Sequence, residues 1–200
     1  MQWHNITSVH WTDTGHISGK NIAVEIEKRL EDFDALKQYM NQWTAFSDLT
    51  YASTGCWLEG NKNFRIFYEL FPRSFFILND RNTEAWIQSR IAHDDGALLR
   101  LATTCFDTSR LDVLNDWRVC KERHTESVLD FFSGQNRFLH FRIDEDPPGK
   151  LTEFLSPVFL IRSKKWPHHH KTSARAFQEQ GITETGIEND PISGGGCDSV

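Results

Sequence analysis

Two hundred residues suffice for one domain with a short extension. With 38% hydrophobic residues, 15 Phe and 7 Trp, the chain has the material for a core, which excludes a disordered polymer. A formal charge of -6 gives no general basic field for nucleic acid and leaves only a local basic patch open, so no nucleic-acid partner is expected.

No run of about 18 apolar residues occurs, so no membrane span is expected. The first residues lack a basic stretch followed by an apolar one, so no signal peptide is read and a cytoplasmic location is expected. The four cysteines, Cys56, Cys105, Cys120 and Cys197, form no C-x-x-C pair and are too sparse for a disulfide framework.

In chain order, Ile6 to Trp11 reads as a short strand. Ser18 to Leu30 carries apolar residues on roughly one helical face, and Asp32 to Trp43 repeats the pattern with Phe33, Leu36 and Met40. Ala45 to Asp48 reads as a short strand or its end. Asn61 to Leu70 reads as a helix carrying Phe64, Phe67 and Tyr68 inward. Ser74 to Asn79 is a continuous apolar run after Pro72, the pattern of a strand buried on both faces. Thr83 then opens a helix with Trp86, Ile87 and Ile91 on one side. A long helix follows from Leu111 to Phe132, stopping at Ser133-Gly134. Arg137 to Ile143 reads as a second strand, followed by an acidic turn and a short helix from Leu151 to Leu155. Strands alternating with helices predict an α/β fold, a parallel sheet with flanking helices. Residues 1–172 form the domain, and 173–200 a Gly- and Ser-rich extension, flexible at its end.

In such sheets ligands bind beyond the carboxyl ends of the strands. Arg81 falls at one such end, and Ser89 lies two turns into the next helix. A guanidinium fork and a hydroxyl converging there suit a phosphate; the plainer alternative is an Arg paired with a carboxylate and a solvated Ser. His10 and Asp48 each follow a short apolar stretch, and either could take a proton if held in a cleft; both are also ordinary structural residues. His168, His169 and His170 are adjacent, so they cannot all face one ion on regular structure, and no metal is assigned. Asn5-Ile6-Thr7 matches a glycosylation sequon, a pattern common by chance.

The segment from Phe71 to Arg90, a Pro-led hydrophobic strand, then Arg, then Ser eight residues on, resembles the core of the PAPS-dependent sulfotransferases. The helix around Trp117 to His124, the strand 137–143, the Leu151 to Leu155 helix and the His-rich loop 166–172 extend the likeness over roughly residues 8–172. The resemblance implies a P-loop NTPase-like sulfotransferase fold. It implies transfer of a sulfuryl group from 3'-phosphoadenylyl sulfate to a hydroxyl or amine of a small-molecule, lipid or carbohydrate acceptor. It puts Arg81 and Ser89 on the 3'-phosphate of the nucleotide, with His10 as first candidate general base and Asp48 as second.

The family's opening strand and Lys-x-Gly-Thr-Thr-Ser loop have no counterpart in this sequence. The expectation is therefore an N-terminally truncated fold, inactive by itself and prone to self-association through exposed strand edges. Its alternatives are a non-catalytic nucleotide-binding or interaction domain of the same fold, and a relative of the P-loop kinases.

Overall fold

The computed structural model describes residues 7–10 and 20–160. The His-rich run, the sequon's Asn5 and the whole C-terminal extension lie outside them. The described chain is mixed α/β. Its strands are β1 (Ser8–His10), β2 (Ala45–Ser47), β3 (Thr50–Ser53), β4 (Cys56–Glu59), β5 (Phe76–Asp80) and β6 (Phe138–Arg142). Its helices are α1 (Ile22–Glu27), α2 (Phe33–Met40), α3 (Phe64–Leu70), α4 (Thr83–Ala92), α5 (Ala97–Phe106), α6 (Arg110–Phe131) and α7 (Pro148–Leu155).

The predicted single parallel sheet is corrected by the strand pairing. β1 pairs with β2 in parallel, β5 pairs with β6 in parallel, and β3 and β4 form an antiparallel hairpin. Each is a separate two-stranded sheet. Helices cross between the members of each parallel pair, as parallel connections require. The hairpin was not foreseen, nor was α5.

The strand over 74–79 begins later, at Phe76, and is not buried on both faces. Its exposure alternates, and Ile77 is 40% exposed. The reason is that its sheet is two strands wide and covered chiefly on one face, so the alternate residues of an apolar run reach solvent. The helix read from Asn61 starts as a 3-10 turn over Gly60–Asn63 and becomes α-helical at Phe64.

Side-chain caps fix the helix starts. Asn21, Asp32, Asn82 and Ser109 each accept a hydrogen bond from a backbone N–H of the first turn. The core lies in three clusters. One joins Val9, Ile22, Ile26, Leu36 and Phe67 beneath β1 and β2. A second joins Trp57, Ile87, Leu99, Val113 and Trp117 around α4, α5 and α6. A third is aromatic and ties α3 and α6 to the β5–β6 pair through Phe64, Val128 and Phe132. Phe132 stacks flat on Phe138 of β6 with ring centroids 4.7 Å apart. The buried charge of Glu25 is met by Lys28 and Arg29, in the turn that follows α1, at 2.7 and 2.9 Å.

Cys56 and Cys105 are free thiols, and Cys120 is disulfide-bonded. Among the described residues no helix is long and apolar enough to cross a membrane. Among the same residues no group of three or more His, Cys, Asp or Glu could hold a metal ion.

Candidate active site

The carboxyl end of β5 carries the densest set of polar contacts. Asp80, its last residue, accepts hydrogen bonds from Lys121 Nζ of α6 at 2.8 Å and from the Arg81 N–H at 2.9 Å. His140 of β6 reaches the other Asp80 oxygen through Nε2 at 2.9 Å. The β5–β6 register sets Leu78 opposite His140 and Asp80 opposite Arg142, which brings the imidazole to the carboxylate. Burial pushes the Asp80 carboxyl up; the hydrogen bonds from Lys121 and His140 and the Lys121 charge outweigh it, so Asp80 lies below the usual carboxylate range. It is an anion held by three donors.

Arg81 follows at the amino end of α4, capped by the Asn82 side chain on the Ala85 N–H. Its guanidinium is not open. Nε and one terminal nitrogen meet the two oxygens of Asp144, both at 3.3 Å. Arg81 is thus forked onto a carboxylate, the plainer of the two sequence readings. The hollow around it, about 520 Å³, also receives Lys121, Glu122, Glu126, Arg142 and Glu145. Ser89 is half-buried on α4 and lines neither this hollow nor the larger cleft.

At the other parallel pair, His10 ends β1 and Asp48 follows β2. The structure brings them together. His10 Nδ1 is 3.0 Å from Ser47 Oγ, and Nε2 is 3.6 Å from Asp48 Oδ2. Asp48 takes a left-handed backbone, φ 54°, uncommon for a non-glycine residue and typical of Asn and Asp at turns. Its carboxylate therefore leaves the end of β2 sideways, toward His10.

A large cleft, about 2110 Å³, is lined by Ser47 and Asp48 on one flank and by Asp80 and Arg81 on the other. The ends of β2 and β5 thus open into the same space. On the cleft wall Arg90 lies between indole rings, 4.5 Å from Trp86, 4.6 Å from Trp117 and 5.4 Å from Trp57. Glu59 meets it at 3.5 Å. Such a buried, ring-stacked Arg with an acidic partner serves the packing of α4 on α6. His124 lies edge-on to Phe64, ring centroids 5.9 Å apart, and burial holds its imidazole below the usual range.

Sequence reasoning missed Lys121, His140 and Asp144. His140 carried a signal, a lone imidazole inside the apolar strand Phe138 to Phe141. Asp144 carried none, because its role depends on a register between residues 63 positions apart. Compared with known proteins, the chain matches no family model, no curated protein and no solved structure.

Proposed function

We propose that this chain is a sulfotransferase-like nucleotide-binding unit, with Arg81 as its anchor for the 3'-phosphate of 3'-phosphoadenylyl sulfate. The observation that carries the reading is the placement of Arg81. It sits at the carboxyl end of a parallel strand and at the start of the next helix, in the lining of the same cleft as Asp48, which His10 adjoins. That is where open α/β sheets bind ligands.

The fork that Arg81 offers to Asp144 has the same shape as the one it would offer a phosphate. Binding therefore exchanges one anion for another, and Asp144 competes with the nucleotide. Both partners are about a third or more exposed, 34% and 44%, so the competing pair is weak. The reading rests on Arg81 more than on Ser89. His10, or Asp48 beside it, takes the proton of the acceptor hydroxyl or amine as that group attacks sulfur. The acceptor oxygen or nitrogen gains the bond to sulfur, and the bond from sulfur to the bridging phosphate oxygen breaks. The groups that steady the departing phosphate belong to a phosphate-cradling loop that this sequence does not contain.

Titration calorimetry tests the reading. Adenosine 3',5'-bisphosphate should bind more tightly than AMP by about 1.5–3 kcal/mol, the worth of a charge-assisted bond. Arg81→Ala should abolish that preference, and Asp144→Asn should strengthen it. Equal affinity for the two nucleotides, or indifference to both substitutions, removes Arg81 from the role. Ser89→Ala reads separately whether the hydroxyl contributes.

A further inference from the structure

The end of the β1–β2 pair holds a hydroxyl, an imidazole and a carboxylate in series. His10 and Ser47 are partners in the parallel register, so their side chains leave the ribbon on the same side. That places Ser47 Oγ 3.0 Å from His10 Nδ1. Asp48 comes next in the chain, and an extended backbone would send its side chain to the opposite face. Its left-handed backbone, φ 54°, cancels that alternation, and Oδ2 comes to 3.6 Å from His10 Nε2. Two consecutive residues thus engage one imidazole at both of its nitrogens.

From this geometry we infer that Ser47 is a nucleophile for acyl transfer, with His10 as its general base and Asp48 as the group that positions the imidazole, and that the substrate is a carboxylic ester with an apolar acyl chain. An activated serine needs a base within hydrogen-bond reach and a third group that orients the base, at distances often looser before substrate binds. The 3.0 Å contact meets the first need, and the 3.6 Å contact is the loose form of the second. Hydroxyls with a merely local role bond near their own position, as Ser156 does to the Glu153 carbonyl and Ser109 to Asp112. Ser47 instead reaches an imidazole 37 positions away. It is exposed and lines the large cleft, so a substrate can reach it. Trp43, Phe46 and Leu49 flank it in the chain and line the same cleft, which suits an apolar acyl group. The N–H of the residue after the nucleophile, here Asp48, is the usual oxyanion donor of a strand-end serine.

The step balances with these groups and water. Ser47 Oγ attacks the ester carbonyl carbon and gives its proton to His10 Nδ1, while the Nε2–H faces the Asp48 carboxylate. The bond from that carbon to the alcohol oxygen breaks, and the imidazolium returns the proton to the leaving oxygen. Water then attacks the acyl-serine, giving a proton to the same nitrogen, and the carboxylic acid leaves as Oγ regains its proton. Neither Arg81 nor a nucleotide takes part, so the inference goes beyond the proposed transfer and does not rest on it.

Covalent labelling and ester hydrolysis on the whole 200-residue protein test it. The probes are an alkyl fluorophosphonate and p-nitrophenyl butyrate. Mass spectrometry of the digested, labelled protein should place the phosphonyl group on Ser47. Ser47→Ala should abolish the label and lower kcat for the ester by about 10²–10⁴-fold. His10→Ala should lower it to the same level and the double variant no further, because the two residues act as a unit. Asp48→Asn keeps the side chain's shape and removes its charge. It should slow labelling and lower kcat with KM near the native value, as befits a side chain that does not touch the substrate. Should a variant unfold, the labelled position in the native protein still decides the matter.

No label on Ser47, or a label on another serine in its place, overturns the inference. So does an ester rate that survives Ser47→Ala and falls in His10→Ala, because the imidazole would then act without the hydroxyl. A change in KM alone in Asp48→Asn removes Asp48 from its positioning role. Ser47→Ala should bind adenosine 3',5'-bisphosphate as the native protein does, so the failure of this inference and that of the nucleotide reading are separable.

Discussion

The two parallel strand pairs carry polar residues at equivalent ends and hold them in opposite ways. At the end of β5, Asp80 is 15% exposed and takes three donors from three elements, α6, β6 and its own backbone. At the end of β2, Asp48 is 45% exposed and meets a His10 that is 59% exposed, at the loose distance of 3.6 Å. The first set is framed by the aromatic cluster of α3, α6 and β6. The second stands at the rim of a core that is covered from one side by α1 and α2. A charge is fixed where helices approach from several directions, and left adjustable where they do not. If the two ends work on one ligand, the β5 end is the scaffold and the β2 end the part that moves.

The sharpest way to break this contrast is to remove the frame of the β5 end. Phe132 is 3% exposed and touches the rings of Phe64, Tyr68, Phe76, Phe131 and Phe138. Phe132→Ala should destabilise the fold by about 3–5 kcal/mol, the usual cost of deleting a buried aromatic ring. Chemical denaturation measures it. A loss below about 1 kcal/mol would mean that the aromatic cluster does not hold β5 and β6 in place.

Next in size is Lys121→Met, which keeps the aliphatic stem and removes the ammonium from Asp80. The charged hydrogen bond lost is worth about 1.5–3 kcal/mol. The Asp80 carboxyl, held below its ordinary value by Lys121 and His140 against burial, should also rise. The sign is set by its lowered position. A depressed carboxylate contributes stability that is present above its unfolded value of 3.8 and lost as pH falls through the folded value. The variant should therefore lose less stability between pH 4 and the acid limit than the native protein. Carboxyl titration by NMR and acid denaturation read the two halves of the expectation.

The contrast also marks what could be read in the sequence. β5 was legible because four apolar residues, Phe75 to Leu78, run together after a Pro, and α6 because a long stretch runs unbroken from Leu111 until Ser133-Gly134 stops it. α5 was not, because Asp94, Asp95 and Gly96 all take left-handed backbone and end α4 with a turn that no Pro announces. The β3–β4 hairpin was hidden by its polar alternation, Thr50, Ser53 and Glu59 diluting Tyr51 and Trp57. Of the site, Arg81, Asp48 and His10 were legible as strand-end residues. The Asp144 fork and the Lys121 contact were not, since both arise from the packing of distant elements. The single sheet was expected because alternation of strands and helices gives no information on which strands meet.

A smaller effect separates the half-buried imidazole of α6 from the exposed one of β1. His124 is held below its ordinary 6.5 by burial first, and by Lys62, against the pull of Glu59. Its unfolded form therefore binds more protons than its folded form as pH falls past 6.5, so stability rises with pH across that window. The slope is bounded by about 1.4 kcal/mol per pH unit for one group. His124→Gln should flatten the curve below about pH 6.5, measured by denaturation at several pH values. An unchanged curve would place the titrating group elsewhere.

The smallest expected effect on the fold belongs to His10, and it is the one that speaks to function. Its contacts to Ser47 and Asp48 join two exposed side chains, a class of pair worth about 0–1 kcal/mol. His10→Ala should therefore leave the denaturation midpoint nearly where it was, as should Asp48→Ala. Neither side chain is part of the core under β1 and β2, where Val9, 3% exposed, does the packing. A base, by contrast, contributes roughly 10²–10⁴-fold to turnover. In a preparation that transfers sulfate, His10→Ala should cut the rate by that factor while leaving stability intact. A stability loss above about 1 kcal/mol would show instead that the imidazole pins β1 to β2. Equal stability with an unchanged rate would pass the base role to Asp48, whose left-handed backbone already turns its carboxylate to the same side of the cleft.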